Sequence, residues 1–249
     1  MQSDASACYK DLLNDLEQGK HVLFTGTPCQ VAGLNALLEA RKACKDNLFT
    51  ADIICHGVPS PGFFGAFMQW LQTQIKTGIV QFNFRDKAIS WRGNSSSALL
   101  ADGRKITGDK RVDAFVNTYY SDCITRPSCY ACPYTSRQRV SDLTISDYWG
   151  IENECPDFED GLGVSMIMVN SQKGQYLLDR MEGEKQKTPG KNYRQPQLAY
   201  PTMRPNQRES FWLEYKNKGI HRILQKYGGI KKVSFLRKAL SKLKRIIKK

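Results

Sequence analysis

The sequence predicts an α/β fold: a mixed sheet whose strand–loop–helix corners carry cysteines, plus a basic C-terminal helix. Three observations carry that expectation. Short apolar runs of strand length alternate with segments of helical periodicity. The runs at residues 21–25 and 48–54 each lead through a tight loop into a helix with a proline at its start. Residues 79–87 alternate in polarity as a half-buried strand does, and residues 95–107 follow as a hairpin.

Residues 5–18 read as an amphipathic helix, with Leu12, Leu13 and Leu16 at helical spacing and Gly19 at its end. A short buried strand follows at residues 21–25. Thr27 then offers an N-cap, Pro28 suits the first helical position, and Gln30 completes a capping box. Val31, Leu34, Leu37 and Leu38 form the buried face of that helix. Residues 48–54 repeat the strand, and Ser60 caps a helix running from Pro61 through Phe64, Phe67 and Leu71. In residues 79–87, Phe82 and Phe84 share one face; the hairpin after it turns at Asp102–Gly103. Residues 111–123 form a helix that delivers the chain to a CxxC loop. Residues 141–150 are a strand with a turn after it, 164–170 a buried strand, and 171–183 a helix. Residues 186–208, rich in Pro, Asn, Gln and Lys, read as loop.

Of 249 residues, 41% are hydrophobic, enough for a core, and no run of about 18 apolar residues marks a transmembrane helix. The first residues lack the charged and apolar regions of a signal peptide, so the expected location is cytoplasmic. The charge is uneven. No Asp or Glu follows Glu214, and residues 215–249 carry thirteen of the 37 basic residues. Residues 1–214 are formally neutral, with 24 charges of each sign, which argues against a nucleic-acid-binding surface. The expected organisation is a domain over residues 1–214 and a basic amphipathic tail over 215–249. Within the tail, Val233, Leu236, Leu240, Leu243 and Ile247 share one helical stripe among lysines and arginines. Such a helix is a candidate for docking on an anionic membrane surface, peripheral to the inner face of the membrane.

Eight cysteines in a reducing compartment argue for metal ligation or redox chemistry rather than disulfides. Cys8, Cys44 and Cys155 lie outside any motif and read as small buried hydrophobes. Cys29 and Cys55 each follow a strand, at the carboxyl edge where ligands bind in open α/β sheets. Cys29 also lies in the first turn of a helix, where the dipole favours a thiolate. Cys129 and Cys132 form the CxxC, with Pro133 directly after it, as in cluster loops. Cys29, Cys55, Cys129 and Cys132 thus make a four-thiolate set for an iron–sulfur cluster, with Cys123 as a reserve ligand. Zinc is the rival metal, although only one short knuckle exists and His56 is the one neighbouring imidazole. A third reading makes Cys29 a nucleophile with His56 as its base. Gly26 and Thr27 stand at a helix N-terminus suited to phosphate. Arg85, Lys87 and Trp91 follow a strand and offer contacts to an anionic or planar ligand. Asp142 and Asp147 flank an apolar strand, to accept backbone N–H groups or to pair with Arg137 or Arg139.

At VLFTGTPCQVAGL, DIICHGVPSP, FRDK with a following Trp, RPSCYACPY and SDLTISDYWGI, taken in that order, the chain resembles the coenzyme F420 hydrogenase/dehydrogenase beta-subunit family. The resemblance covers roughly residues 1–170. It implies a flavin-linked iron–sulfur oxidoreductase that passes electrons between a hydride-carrying coenzyme and one-electron centres. It carries the 4Fe-4S ligand role onto Cys29, Cys55, Cys129 and Cys132, and sets Gly26–Pro28 near the flavin, with FAD as the candidate. His56, Arg85 and Lys87 are the further candidate cofactor contacts. A ferredoxin or another cluster-bearing protein is the implied partner. Family members often begin with a two-cluster ferredoxin segment and a serine- and glycine-rich stretch, neither of which occurs here. The expectation is therefore a chain equivalent to the carboxyl-terminal portion of a longer protein.

Overall fold

The computed structural model describes residues 4–88, 90–93, 95–191 and 193–230. The basic stripe expected in residues 231–249 lies outside the described residues. In chain order the elements are α1 (Ser6–Glu17), β1 (Val22–Gly26), α2 (Pro28–Ala40), β2 (Leu48–Ile53), α3 (Pro61–Ile75), β3 (Ile79–Asn83), β4 (Ser97–Leu100), β5 (Lys105–Thr107) and α4 (Lys110–Tyr119). They continue with β6 (Leu143–Asp147), α5 (Ile151–Glu154), β7 (Ser165–Val169), α6 (Gln172–Arg180) and α7 (Arg208–Lys226). The fold is α/β with parallel and antiparallel pairing, as the sequence predicts. Among the described residues no helix is long and apolar enough to cross a membrane.

Two units interleave along the chain. The first takes residues up to Ser60 together with Thr125–Met203; the second takes Pro61–Ile124 and the chain from Arg204 onward.

The first unit is built on a four-stranded sheet in the order β1-β2-β6-β7. β1, β2 and β6 run parallel, and β7 pairs antiparallel with β6 at the edge. The capping box forms as expected: Gln30 Oε1 accepts from the Thr27 N–H at 2.9 Å. Val31, Leu34 and Leu38 of α2 pack with Leu12 of α1 and with Phe24 and Leu48 of the strands. Asp142 ties β2 to β6, accepting from the Thr50 N–H and hydroxyl, both at 2.8 Å. α6 approaches the same point closely: a Cβ on Gly174 would stand 2.1 Å from the Asp142 carbonyl oxygen, so only glycine fits.

The second unit packs α3, α4 and α7 with an antiparallel sheet in the order β3-β4-β5. Its core is aromatic. Phe63, Phe64, Phe67, Phe115 and Phe211 are buried together, and the Phe64 and Phe115 rings meet edge to face with centroids 5.0 Å apart. The β4–β5 turn falls at Asp102–Gly103 as predicted, with Gly103 at φ +84°. β3 is shorter than the expected strand over 79–87. Asn83 Oδ1 accepts from the Arg85 N–H at 3.0 Å and Asp86 Oδ1 from the Ala88 N–H at 3.0 Å, so side chains turn the backbone out of the ladder.

α7 includes Glu214 and buries Phe211, Ile223 and Leu224. Its helical geometry breaks at Gly219, whose φ of +70° favours glycine. Glu214 bridges the break, meeting Arg222 Nε at 2.9 Å and Lys226 Nζ at 3.0 Å. Lys226, then Arg222, hold the Glu214 carboxyl down at about 2. A carboxyl with a depressed folded value stabilises the fold above its unfolded value, and that contribution disappears as pH falls through the folded value. The melting-temperature gap between wild type and Glu214→Gln should therefore be widest at neutral pH. It should close between about pH 4.5 and pH 2.

Candidate functional site

Parallel pairing of β1 with β2 sets two cysteine loops at one sheet edge. Gly26 pairs with Asp52 in the last rung of that ladder, and Cys29 and Cys55 each lie three residues further on. Cys29 falls in the first turn of α2. Cys55 lies in the loop that leaves β2. The third segment arrives through a backbone bridge between Pro59 and Thr125, extended by the Arg126 N–H donating to the Val58 carbonyl at 2.8 Å. That bridge holds the Pro127–Ala131 turn, which carries Cys129 and leads into Cys132.

As a result Cys29, Cys55, Cys129 and Cys132 line one small pocket. Pro28 and His56 line it as well. Cys29 is exposed and the other three are half-buried. Gly57 lines the pocket too. At φ +141° a Cβ there would stand 2.8 Å from Thr125 Cγ2 and 3.4 Å from Cys129 Cβ. Burial pushes the Cys55 thiol up to about 11; the Gly57 N–H pulls it down, and the Cys129, Cys29 and Cys132 sulfurs add to the rise. Among the described residues, no three His, Cys, Asp or Glu side chains gather in a way that could hold a metal ion as the chain stands. The four thiols surround a shared space rather than a shared point.

Other side chains brace the pocket. The Thr27 hydroxyl lies 3.1 Å from Cys29 Sγ and donates to Gln30 Oε1 at 3.0 Å. His56 Nδ1 lies 3.2 Å from Gln197 Nε2, and the His56 carbonyl accepts from the Thr202 hydroxyl. Gln197 and Thr202 come from the stretch expected to be plain loop, which folds back onto the pocket. No pattern of spacing announces them.

Arg139 also lines the pocket. Its guanidinium donates to Asp52 Oδ2 at 3.0 Å, the Tyr134 carbonyl at 2.7 Å and Thr144 Oγ1 at 3.1 Å. Asp142 takes the backbone role foreseen for it and meets Thr50 and Ser171, while Asp52 receives Arg139. The signal for that pair was in the sequence: an Asp inside the apolar strand 48–54 demands a buried partner.

The remaining candidates lie elsewhere. Gly26 closes β1, where a Cβ would meet Gln30 Oε1 at 3.1 Å, so its smallness serves the helix cap. Arg85 and Lys87 belong to the second unit, where Arg85 donates to the Trp91 carbonyl at 2.5 Å. Cys123 is fully buried in the aromatic core of that unit, and its carbonyl accepts from the Trp212 indole at 3.1 Å. Cys8 and Cys44 are exposed, not the buried hydrophobes expected; helix ends and loops placed them, not apolar periodicity.

Gly57→Ala should destabilise the chain by about 2 kcal/mol in denaturant unfolding, because positive φ and a close neighbour penalise it together. Gly103→Ala, at a turn where a Cβ meets nothing within 4 Å, should cost less.

No curated protein matches the chain. Residues 19–189 match the family described as the carboxyl terminus of the "Coenzyme F420 hydrogenase/dehydrogenase, beta subunit", a span that takes in all four pocket cysteines. Membership of such a family implies an oxidoreductase-related role alongside redox partner proteins. The chain belongs to the coenzyme F420 hydrogenase/dehydrogenase beta-subunit family, matching its carboxyl-terminal part.

Proposed function

We propose that the chain is an iron–sulfur electron-transfer subunit. In this reading Cys29, Cys55, Cys129 and Cys132 hold one 4Fe-4S cluster, and electrons pass between it and a flavin or another hydride-carrying coenzyme. The observation that carries the reading is the convergence of four thiols from three separate segments on one pocket. The donor chemistry fits, since four soft thiolates are the ligand set such a cluster takes. The bound cluster would supply one-electron transfer.

The chain's own residues supply the surroundings. The N-terminus of α2 favours negative charge on Cys29. The Gly57 N–H bonds to the Cys55 sulfur. Hydrogen bonds of this kind to ligand sulfurs are levers on reduction potential. Cys29 leaves one side of the pocket exposed, where a partner carrier can approach. That partner is proposed to be a ferredoxin or another cluster-bearing protein. FAD is the proposed hydride carrier. Gly26 and Thr27, whose backbone also forms the α2 cap, are the proposed neighbours of that flavin. Peripheral docking on an anionic membrane through residues 231–249 is part of the same proposal.

Anaerobic purification followed by iron, sulfide and zinc analysis tests the reading. About four irons and four sulfides per chain are expected, with visible absorption that dithionite bleaches. Cys55→Ser and Cys129→Ser should each lose most of the iron, while Cys44→Ser retains it. Zinc alone, a folded metal-free protein, or iron unchanged in both pocket variants would contradict it.

A further inference from the structure

Arg139 is the permanent cation among the described residues that line the cysteine pocket. Its side chain is 2% exposed and that of its partner Asp52 is 0% exposed. Besides Asp52, Arg139 donates to the Ile53 carbonyl at 3.2 Å and the Ser136 carbonyl at 3.3 Å. One side chain therefore ties the end of β2, just before Cys55, to the loop just after Cys132, and through Thr144 to β6. Asp52 Oδ1 has no hydrogen-bond partner among the described residues.

Buried ion pairs are poor devices for stability alone, since apolar residues of similar volume often do as well or better. The placement of Arg139 at the pocket, with Asp52 behind it, gives the pair another use. A positive charge beside a redox centre favours the more negative, reduced state, and a negative charge opposes it.

We infer that Arg139 and Asp52 form an electrostatic tuning pair for the redox centre. Arg139 fixes the Cys55 and Cys132 loops against each other and raises the reduction potential of the group held there. Asp52 holds the guanidinium in place and moderates its field. This inference rests on the cluster reading and goes beyond it, because nothing in the ligand set alone requires the pair.

Redox titration of the full chain, followed by electron paramagnetic resonance, tests the inference once wild type is shown to hold iron and sulfide. Asp52→Asn should raise the midpoint potential and Arg139→Gln should lower it. Each should change the reduced-to-oxidised ratio at a fixed potential by about tenfold. Arg139→Lys keeps the charge but loses the fork, so its potential should stay near wild type while its iron content falls. A purely structural pair would move Asp52→Asn and Arg139→Gln in the same direction or leave both potentials unchanged, and either result overturns the inference. Should Arg139→Gln fail to fold, an unshifted Asp52→Asn potential overturns it alone. Wild type without iron removes the cluster reading first and the tuning role with it.

Discussion

The candidate site depends on the parallel register of β1 and β2. With Gly26 opposite Asp52, equal steps along both chains bring Cys29 and Cys55 out at the same sheet edge. A one-residue slip would turn each side chain of β2 to the opposite face and send Asp52 away from Arg139. The short bridge between Pro59 and Thr125 extends the same geometry to the CxxC segment. Backbone pairing between residues far apart in sequence thus gathers thiols that nothing local would bring together.

Gathering them has an electrostatic consequence. Burial, with the Cys129, Cys29 and Cys132 sulfurs adding to it, holds the Cys55 thiol up at about 11. The Gly57 N–H counters that rise at Cys55, and the N-terminus of α2 stands at Cys29. Gly57 shows the local cost: a backbone conformation that other residues rarely adopt is held against Thr125 so that the Cys129 sulfur can lie close by. Local rules of stability are commonly broken at functional sites, and this pocket follows that pattern.

Much of the first unit was legible in the sequence because its signals are local. The Thr27-Pro28-Gln30 cap and the apolar runs at β2 and β7 each carry their own instruction, as the Asp102–Gly103 turn does in the second unit. The cysteine corners followed from strand–loop–helix order. What remained hidden was non-local. Arg139 reaches back 87 residues to Asp52, and Gln197 reaches 141 residues to His56. The approach of Gln197 and Thr202 to the pocket leaves no periodic trace in the sequence. α7 was obscured for a different reason. Its surface is dense in Lys and Arg, and the Gly219 break interrupts its period, so its buried Phe211, Ile223 and Leu224 do not read as one stripe. Ion pairs centred on Glu214 hold together what the pattern separates.

The central claim is that one iron–sulfur centre occupies the space these four thiols share. X-ray absorption at the iron edge, on the full chain purified without oxygen, addresses it most directly. The expected result is a first shell of sulfur alone, with iron neighbours in the second shell. Iron coordinated by nitrogen or oxygen, or an absorption edge from zinc in place of iron, would contradict it.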